Sequence, residues 1–234
     1  MAYAREWSIP VADASPDVRA DFIKKTYAHL GLAILAFVGV EYLLFTSGAA
    51  YSIASSMLGG RGTWLFVLLA FMGVSWIANY FADPLQSKGM QYLGLGLYVL
   101  AEALIFVPIL YLAAYYSDAG VIPTAGLLTA IVFGGMTGVV FLTGKDFSFL
   151  RQGLKVAGIA ALGLIVCSLV FGFTLGTVFS AVMVLFSAGY ILFYTSNVLH
   201  HYPPGSHVAA SLKLFASVAL LLWYILQILM SRRS

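Results

Sequence analysis

Seven long apolar stretches, cut by short polar gaps, run through the 234 residues, and only 12 Lys/Arg and 9 Asp/Glu are spread among them. Several stretches run 18 residues or more with at most one charge, the length an α-helix needs to cross a hydrocarbon layer about 30 Å thick. A soluble fold needs a charged shell around its core, and a chain that is 62% hydrophobic and 9% charged cannot supply one. The reading is therefore all-α, a polytopic membrane protein folded as a seven-transmembrane-helix bundle. The net charge of +3 then bears on topology and on membrane lipids as partners, and no nucleic acid is expected.

Turn-forming clusters place the spans at 26–46, 63–82, 91–115, 121–143, 153–173, 177–199 and 208–229. Residues 1–25 mix acids with bases, lack the apolar core of a signal peptide, and read as a polar cytoplasmic tail with a short amphipathic helix over 16–25. Residues 26–230 form the transmembrane domain. With the N-terminus inside, the cytoplasmic side holds Arg5, Arg19, Lys24, Lys25, Lys88, Lys145, Arg151 and Lys155, against Arg61, Arg232 and Arg233 outside. That asymmetry predicts a cytoplasmic N-terminus and an outer C-terminus. Arg232 and Arg233 oppose it, and a re-entrant seventh span would return them inside. Gly134 and Gly138, like Ala157 and Ala161, sit four apart on one helix face, the spacing at which small residues let helices approach in lipid.

Ionisable groups at membrane depth cost roughly 2.5–3.5 kcal/mol at a span's centre, so each one carries information. Glu102 lies near the middle of span three, six residues before Pro108, which leaves the Leu104 carbonyl without its helical donor. Two readings stand: a proton-titrating or ion-coordinating site, or a neutral carboxyl bonded to a neighbouring helix. Glu41 and Asn79 fall toward the outer ends of spans one and two and read as interfacial. Cys167 has no partner for a disulfide or a metal and reads as a packed small residue.

Span six carries Ser187, Tyr190, Tyr194 and Asn197 on one face, and span seven carries Lys213, Ser217, Tyr224 and Gln227 on one face. Such stripes are costly toward lipid, so the two faces should turn inward toward each other. The short connecting loop sets Tyr194 level with Lys213, making the tyrosine hydroxyl a partner for the ammonium, the alternative being a lysine that snorkels to the cytoplasmic headgroups. His200, His201 and His207 bracket Tyr202 to Ser206 without a nearby carboxylate or cysteine in sequence, which fits an exposed loop and no metal site. No nucleophile elbow, metalloprotease motif or phosphate-binding loop occurs; the chain is not expected to be an enzyme or to hold a cofactor.

Three segments resemble the Bax inhibitor-1 family, in particular its bacterial YccA-like branch: Arg19 to Leu30 (RADFIKKTYAHL), Thr143 to Leu150 (TGKDFSFL) and Gly189 to Asn197 (GYILFYTSN). The resemblance covers nearly the whole chain from about residue 19. It implies a non-catalytic seven-helix bundle of the bacterial inner membrane. It further implies two roles: a pH-sensitive calcium leak, and regulation of membrane stress or membrane-protein quality control, including inhibition of an FtsH-type protease. The partners implied are thus a membrane-anchored ATP-dependent protease, and Ca²⁺ or H⁺. Leak members use two acids, and their positions correspond to Tyr194 and Ser217, neither of which is an acid. Lys213 adds a cation near where those acids would gather Ca²⁺. The expectation is a regulator acting through contacts with other membrane proteins. The runner-up is a passive cation leak using Glu102, and the weakest reading a transporter, disfavoured by the absence of internal repeats.

Overall fold

The computed structural model describes residues 9–231. Eight α-helices follow one another among these residues: α1 (Pro16–Thr46), α2 (Ala49–Met57), α3 (Arg61–Phe81), α4 (Lys88–Tyr115), α5 (Val121–Thr143), α6 (Leu150–Phe171), α7 (Gly176–His200) and α8 (His207–Ser231). Single 3₁₀ turns at Val11–Asp13 and Pro204–Ser206 precede α1 and α8, and the described residues contain no strand. All but α2 are long and apolar enough to span a bilayer, so the protein is a multi-pass membrane bundle of seven spans.

The starts of α1, α4, α6 and α8 gather at one end of the bundle, the near end, with the ends of α3, α5 and α7. Hydrogen bonds tie that end together: Lys88 Nζ donates to the Gly205 carbonyl (2.8 Å), and the Val11 amide to the Tyr202 carbonyl (2.9 Å). At the far end the Thr177 and Ser231 hydroxyls meet at 3.0 Å. The last helix therefore crosses fully, and the re-entrant alternative is set aside; Arg232 and Arg233 lie outside the described residues, as does Arg5.

Local chemistry explains the boundaries. Pro16 occupies the first turn of α1, where its missing N–H is no loss. The Ser87 hydroxyl accepts from the Met90 amide and caps α4. Gly144 ends α5 in the left-handed region at φ 61°, which a side chain would resist. Helix α1 starts ten residues before the expected span because the amphipathic lead continues into it unbroken. The other six spanning helices begin and end within three residues of the expected ranges.

Helix α4 is the hub, with buried residues in every turn from Gln91 to Ala113, and α8 packs against α7, α1, α5 and α4. Gly94 sets the closest helix approach: a Cβ there would stand 2.5 Å from the Ala78 carbonyl of α3 and 2.6 Å from the amide of Ala82, the residue that caps it. Gly134 and Gly138, expected to play that part, have no neighbour within 4 Å of where a Cβ would sit, because the faces they occupy meet no other helix. Cys167 is exposed rather than packed, since α6 is peripheral and Ala161 is its one buried residue.

Helix α2 was not expected. It packs on α1 and α4 at the far end, with Ala50 and Ala54 against Val107. At that end Glu41, expected to be interfacial, is 7% exposed, and neither of its carboxylate oxygens has a hydrogen-bond partner among the described residues.

Candidate functional site

The site grows from one face of α4. Gly94, Tyr98 and Glu102 are spaced by four, so the contact that draws α3 against Gly94 also fixes the two polar residues above it. Glu102 is 6% exposed, and the Tyr98 hydroxyl lies beside its carboxyl. Both line a cavity of about 200 Å³, completed by Tyr190 and Tyr194 of α7 and by Ala216, Ser217 and Leu220 of α8. The buried acid and three of the eight stripe residues, Tyr190, Tyr194 and Ser217, thus belong to one site, 88 to 115 residues apart in sequence though they are. Leu104 and Pro108 do not line it; Leu104 is half exposed, so the carbonyl freed by the proline serves no part of the site.

Tyr190 and Tyr194 of one stripe line a cavity with Ser217 of the other, while the hydrogen bond that joins the two helices, from the Ser180 hydroxyl to Gln227 Oε1 at 3.0 Å, comes from a serine outside the stripe. Ser217 donates to the Lys213 carbonyl at 2.9 Å, which leaves its oxygen lone pairs toward the cavity. The rings of Tyr190 and Tyr194 stack with centroids 5.6 Å apart and planes 11° from parallel, and the Tyr190 hydroxyl reaches the Leu154 carbonyl at 3.4 Å. Asn197 stands one turn nearer the end and lines a second, larger cavity of about 730 Å³ with Tyr190 and Tyr194.

Lys213 departs from expectation. Its ammonium donates to Asn79 Oδ1 of α3, neither to Tyr194 nor to the headgroup region. The four-carbon stem carries the charge across to α3, while Tyr194 lines the two cavities. Asn79 also lies at the near end rather than the outer end, because α3 descends to the turn that precedes Lys88. Its amide nitrogen donates to the Ser75 carbonyl at 2.7 Å, which orients the oxygen toward the lysine.

Three cavities form a row through the bundle. The large one opens at the near end between α6 and α7. It shares Tyr190 and Tyr194 with the Glu102 cavity. That in turn shares Leu220 with a third, of about 440 Å³, reaching Ser168, Thr174 and Gln227 at the far end. Among the described residues Glu102 is the one acid lining any of the three.

At the near-end mouth the turn between α5 and α6 is pinned to α7. Asp146 Oδ2 pairs with His201 Nε2 at 2.9 Å, while Oδ1 accepts from the Ser148 amide at 2.8 Å and from the Ser196 hydroxyl at 3.2 Å. The Ser196 hydroxyl oxygen in turn accepts from the Phe147 amide at 2.8 Å. Partial burial pushes the carboxyl up, yet the Ser148 amide, His201 and the Ser148 hydroxyl together outweigh it and hold the pKa down at about 2. The expectation that no carboxylate approaches these histidines fails, because the fold brings in Asp146 from 55 residues away. His207 is buried rather than exposed, its ring 5.0 Å from that of His29, and His200 bonds the Ser196 carbonyl at 3.0 Å. No group of three His, Cys, Asp or Glu that could hold a metal occurs among the described residues.

Comparison with known proteins gives this site its context. The family model described as "Inhibitor of apoptosis-promoting Bax1" matches residues 19–234. Bax inhibitor 1 of Schizosaccharomyces pombe is 31% identical over 228 residues, covering 94% of this chain and 80% of that protein. The Golgi anti-apoptotic protein of vaccinia virus (strain Lister) is 28% identical over 232 residues, covering 94% and 89%. An uncharacterised protein of Pseudomonas aeruginosa is 35% identical over 113 residues, 48% of this chain and 50% of its own. No solved structure matches. With the family model matching from residue 19 to the last, and a relative above 30% identity over nearly the whole chain, this protein belongs to the Bax inhibitor-1 family.

Proposed function

We propose that the protein is a passive, pH-sensitive cation leak across the bacterial inner membrane, with Glu102 as the acid that takes the cation. The observation that carries this reading is the row of three cavities, interrupted at the Tyr190–Tyr194 stack and at Leu220, with one carboxyl at its middle. A carboxylate at membrane depth attracts a desolvating cation strongly, and the Tyr98, Tyr194 and Ser217 oxygens can replace part of its water. The acids that the leak members carry at the positions of Tyr194 and Ser217 are replaced here by one acid reaching the same cavity from α4. Protonation of Glu102 removes the charge, which is how pH would govern the leak. Lys213, held on Asn79, stays out of the cation's way.

The test is calcium entry into dye-loaded liposomes containing the purified protein. Wild type should leak in a pH-dependent way and Glu102→Gln, which keeps size and hydrogen bonding, should not. Absence of flux in wild type, or flux unchanged in Glu102→Gln, overturns the reading.

A second reading is regulation of membrane stress or quality control through contacts with an FtsH-type protease, in line with the viral relative's name, Golgi anti-apoptotic protein. A silent protein in the liposome assay that co-purifies with such a protease, unaffected by Glu102→Gln, would select it.

A further inference from the structure

We propose that the large near-end cavity is a binding site for a phosphate-bearing anion, held by Arg151 and Lys155 of α6. The two side chains stand four residues apart on the first turns of that helix and line the same cavity of about 730 Å³, faced by Ser148, Tyr194 and Asn197. No carboxylate among the described residues lines it. Asp146, the acid on the adjoining turn, spends its oxygens on His201, the Ser148 amide and Ser196. Neither the Arg151 nor the Lys155 side chain has an ion pair or hydrogen bond among the described residues.

That arrangement is unfavourable as it stands. Two cations one turn apart repel each other, and both oppose the positive end of the α6 dipole. A bias toward positive charge at this end of the bundle would be met by any cation on the turn. Lys145 meets it without lining the cavity, so the bias does not explain why Arg151 and Lys155 share one concave wall. An anion relieves both repulsions at once. Phosphate suits the donors: the guanidinium offers a planar two-pronged contact and the ammonium a point charge, with the Asn197 amide as a neutral donor. The volume admits a phosphate together with the glycerol of a lipid headgroup. The phosphate can come from an anionic lipid of the adjoining leaflet or from a soluble phosphate. This inference goes beyond the cation leak and does not rest on it, since binding is read without flux.

The experiment uses the full-length protein in nanodiscs and has two arms. In phosphatidylcholine discs, inorganic pyrophosphate is titrated by calorimetry. In discs containing phosphatidylglycerol, the lipid retained on the protein is counted by native mass spectrometry. Wild type should bind in at least one arm, and Arg151→Gln and Lys155→Gln should each weaken that binding about tenfold, the loss of one charge-assisted bond. Lys145→Gln should leave it unchanged. Retained phosphatidylglycerol identifies the lipid as source, and bound pyrophosphate identifies the soluble anion. Absence of binding in both arms, or an equal loss in Lys145→Gln, overturns the proposal, as does undiminished binding in the two cavity variants. Should a glutamine variant fail to fold, Arg151→Lys replaces it; keeping the charge but losing the two-pronged contact, it should bind severalfold more weakly, and undiminished binding overturns the proposal.

Discussion

Replacing Gly94 by alanine isolates the contact that sets the whole α3–α4 interface. The added Cβ would stand 2.5 Å from the Ala78 oxygen, 2.6 Å from the Ala82 nitrogen and 2.9 Å from the Phe81 Cβ. Two of these three are backbone atoms, one within α3 and one at its C-cap, so no side-chain rotation relieves the overlap. Ordinary contact begins near 3.4 Å, so α3 and α4 must part locally by roughly 1 Å, with the loss that overpacking brings, about 1–3 kcal/mol. The control is Gly96→Ala, two residues on, where nothing lies within 4 Å. There the gain in helix propensity should leave stability equal or raise it by up to about 1 kcal/mol. Thermal unfolding in nanodiscs should therefore separate the two variants by several degrees, at about 2–4 °C per kcal/mol for a chain of this size. Because Tyr98 and Glu102 follow Gly94 on the same face, Gly94→Ala should also disturb the liposome leak while Gly96→Ala does not. Equal melting temperatures for the two variants would refute the reasoning.

Asn79→Ala strands the Lys213 ammonium and should cost about 1–3 kcal/mol, more than Lys213→Met, which removes the charge as well; a double-mutant cycle by thermal unfolding checks the coupling. Asp146, depressed to about 2 in the folded protein against about 3.9 in an unfolded chain, stabilises the 143–149 turn fully above about pH 4, and that contribution vanishes as pH falls through about 2. Hydrogen exchange at the Phe147 and Ser148 amides, corrected for intrinsic rates, should stay slow in wild type until that range and be fast throughout in Asp146→Ala. The Lys/Arg distribution predicts that Ser148→Cys, in a Cys167→Ser background, is protected from membrane-impermeant maleimide in intact cells; labelling from outside would invert the orientation.

What could be read in advance follows the physics of each signal. Hydropathy located the spans because a bilayer imposes one length on every crossing helix, while α2, nine residues rich in Ala and Ser, carries no such signature. Glu102 stood out because a charge inside an apolar run is rare, and the α7 stripe because helical period shows which residues share a face. Period says nothing of how far a helix is rotated toward one neighbour rather than another. That is why Tyr194 on the preceding helix and the headgroups were the two partners weighed for Lys213, and its ammonium is found on Asn79 of α3. The Asp146–His201 pair and the Gly94 contact depend on which turns and helices meet, and neither leaves a trace in a single sequence. The role read into Gly134 and Gly138 failed for the same reason: small residues permit close approach without requiring it.

The slender attachment of α6 has a mechanical consequence. Ala161 is its one buried residue, and its neighbours are α7 and α3, whereas α4 carries buried residues in every turn from Gln91 to Ala113. Swinging α6 outward forfeits little dispersion energy, so it is the most compliant wall of the molecule. That wall contributes Arg151 and Lys155 at one end and Ser168 at the other. Bilayer tension and lateral pressure, which load a peripheral helix before they reach an enclosed one, therefore act on the two mouths of the cavity row first.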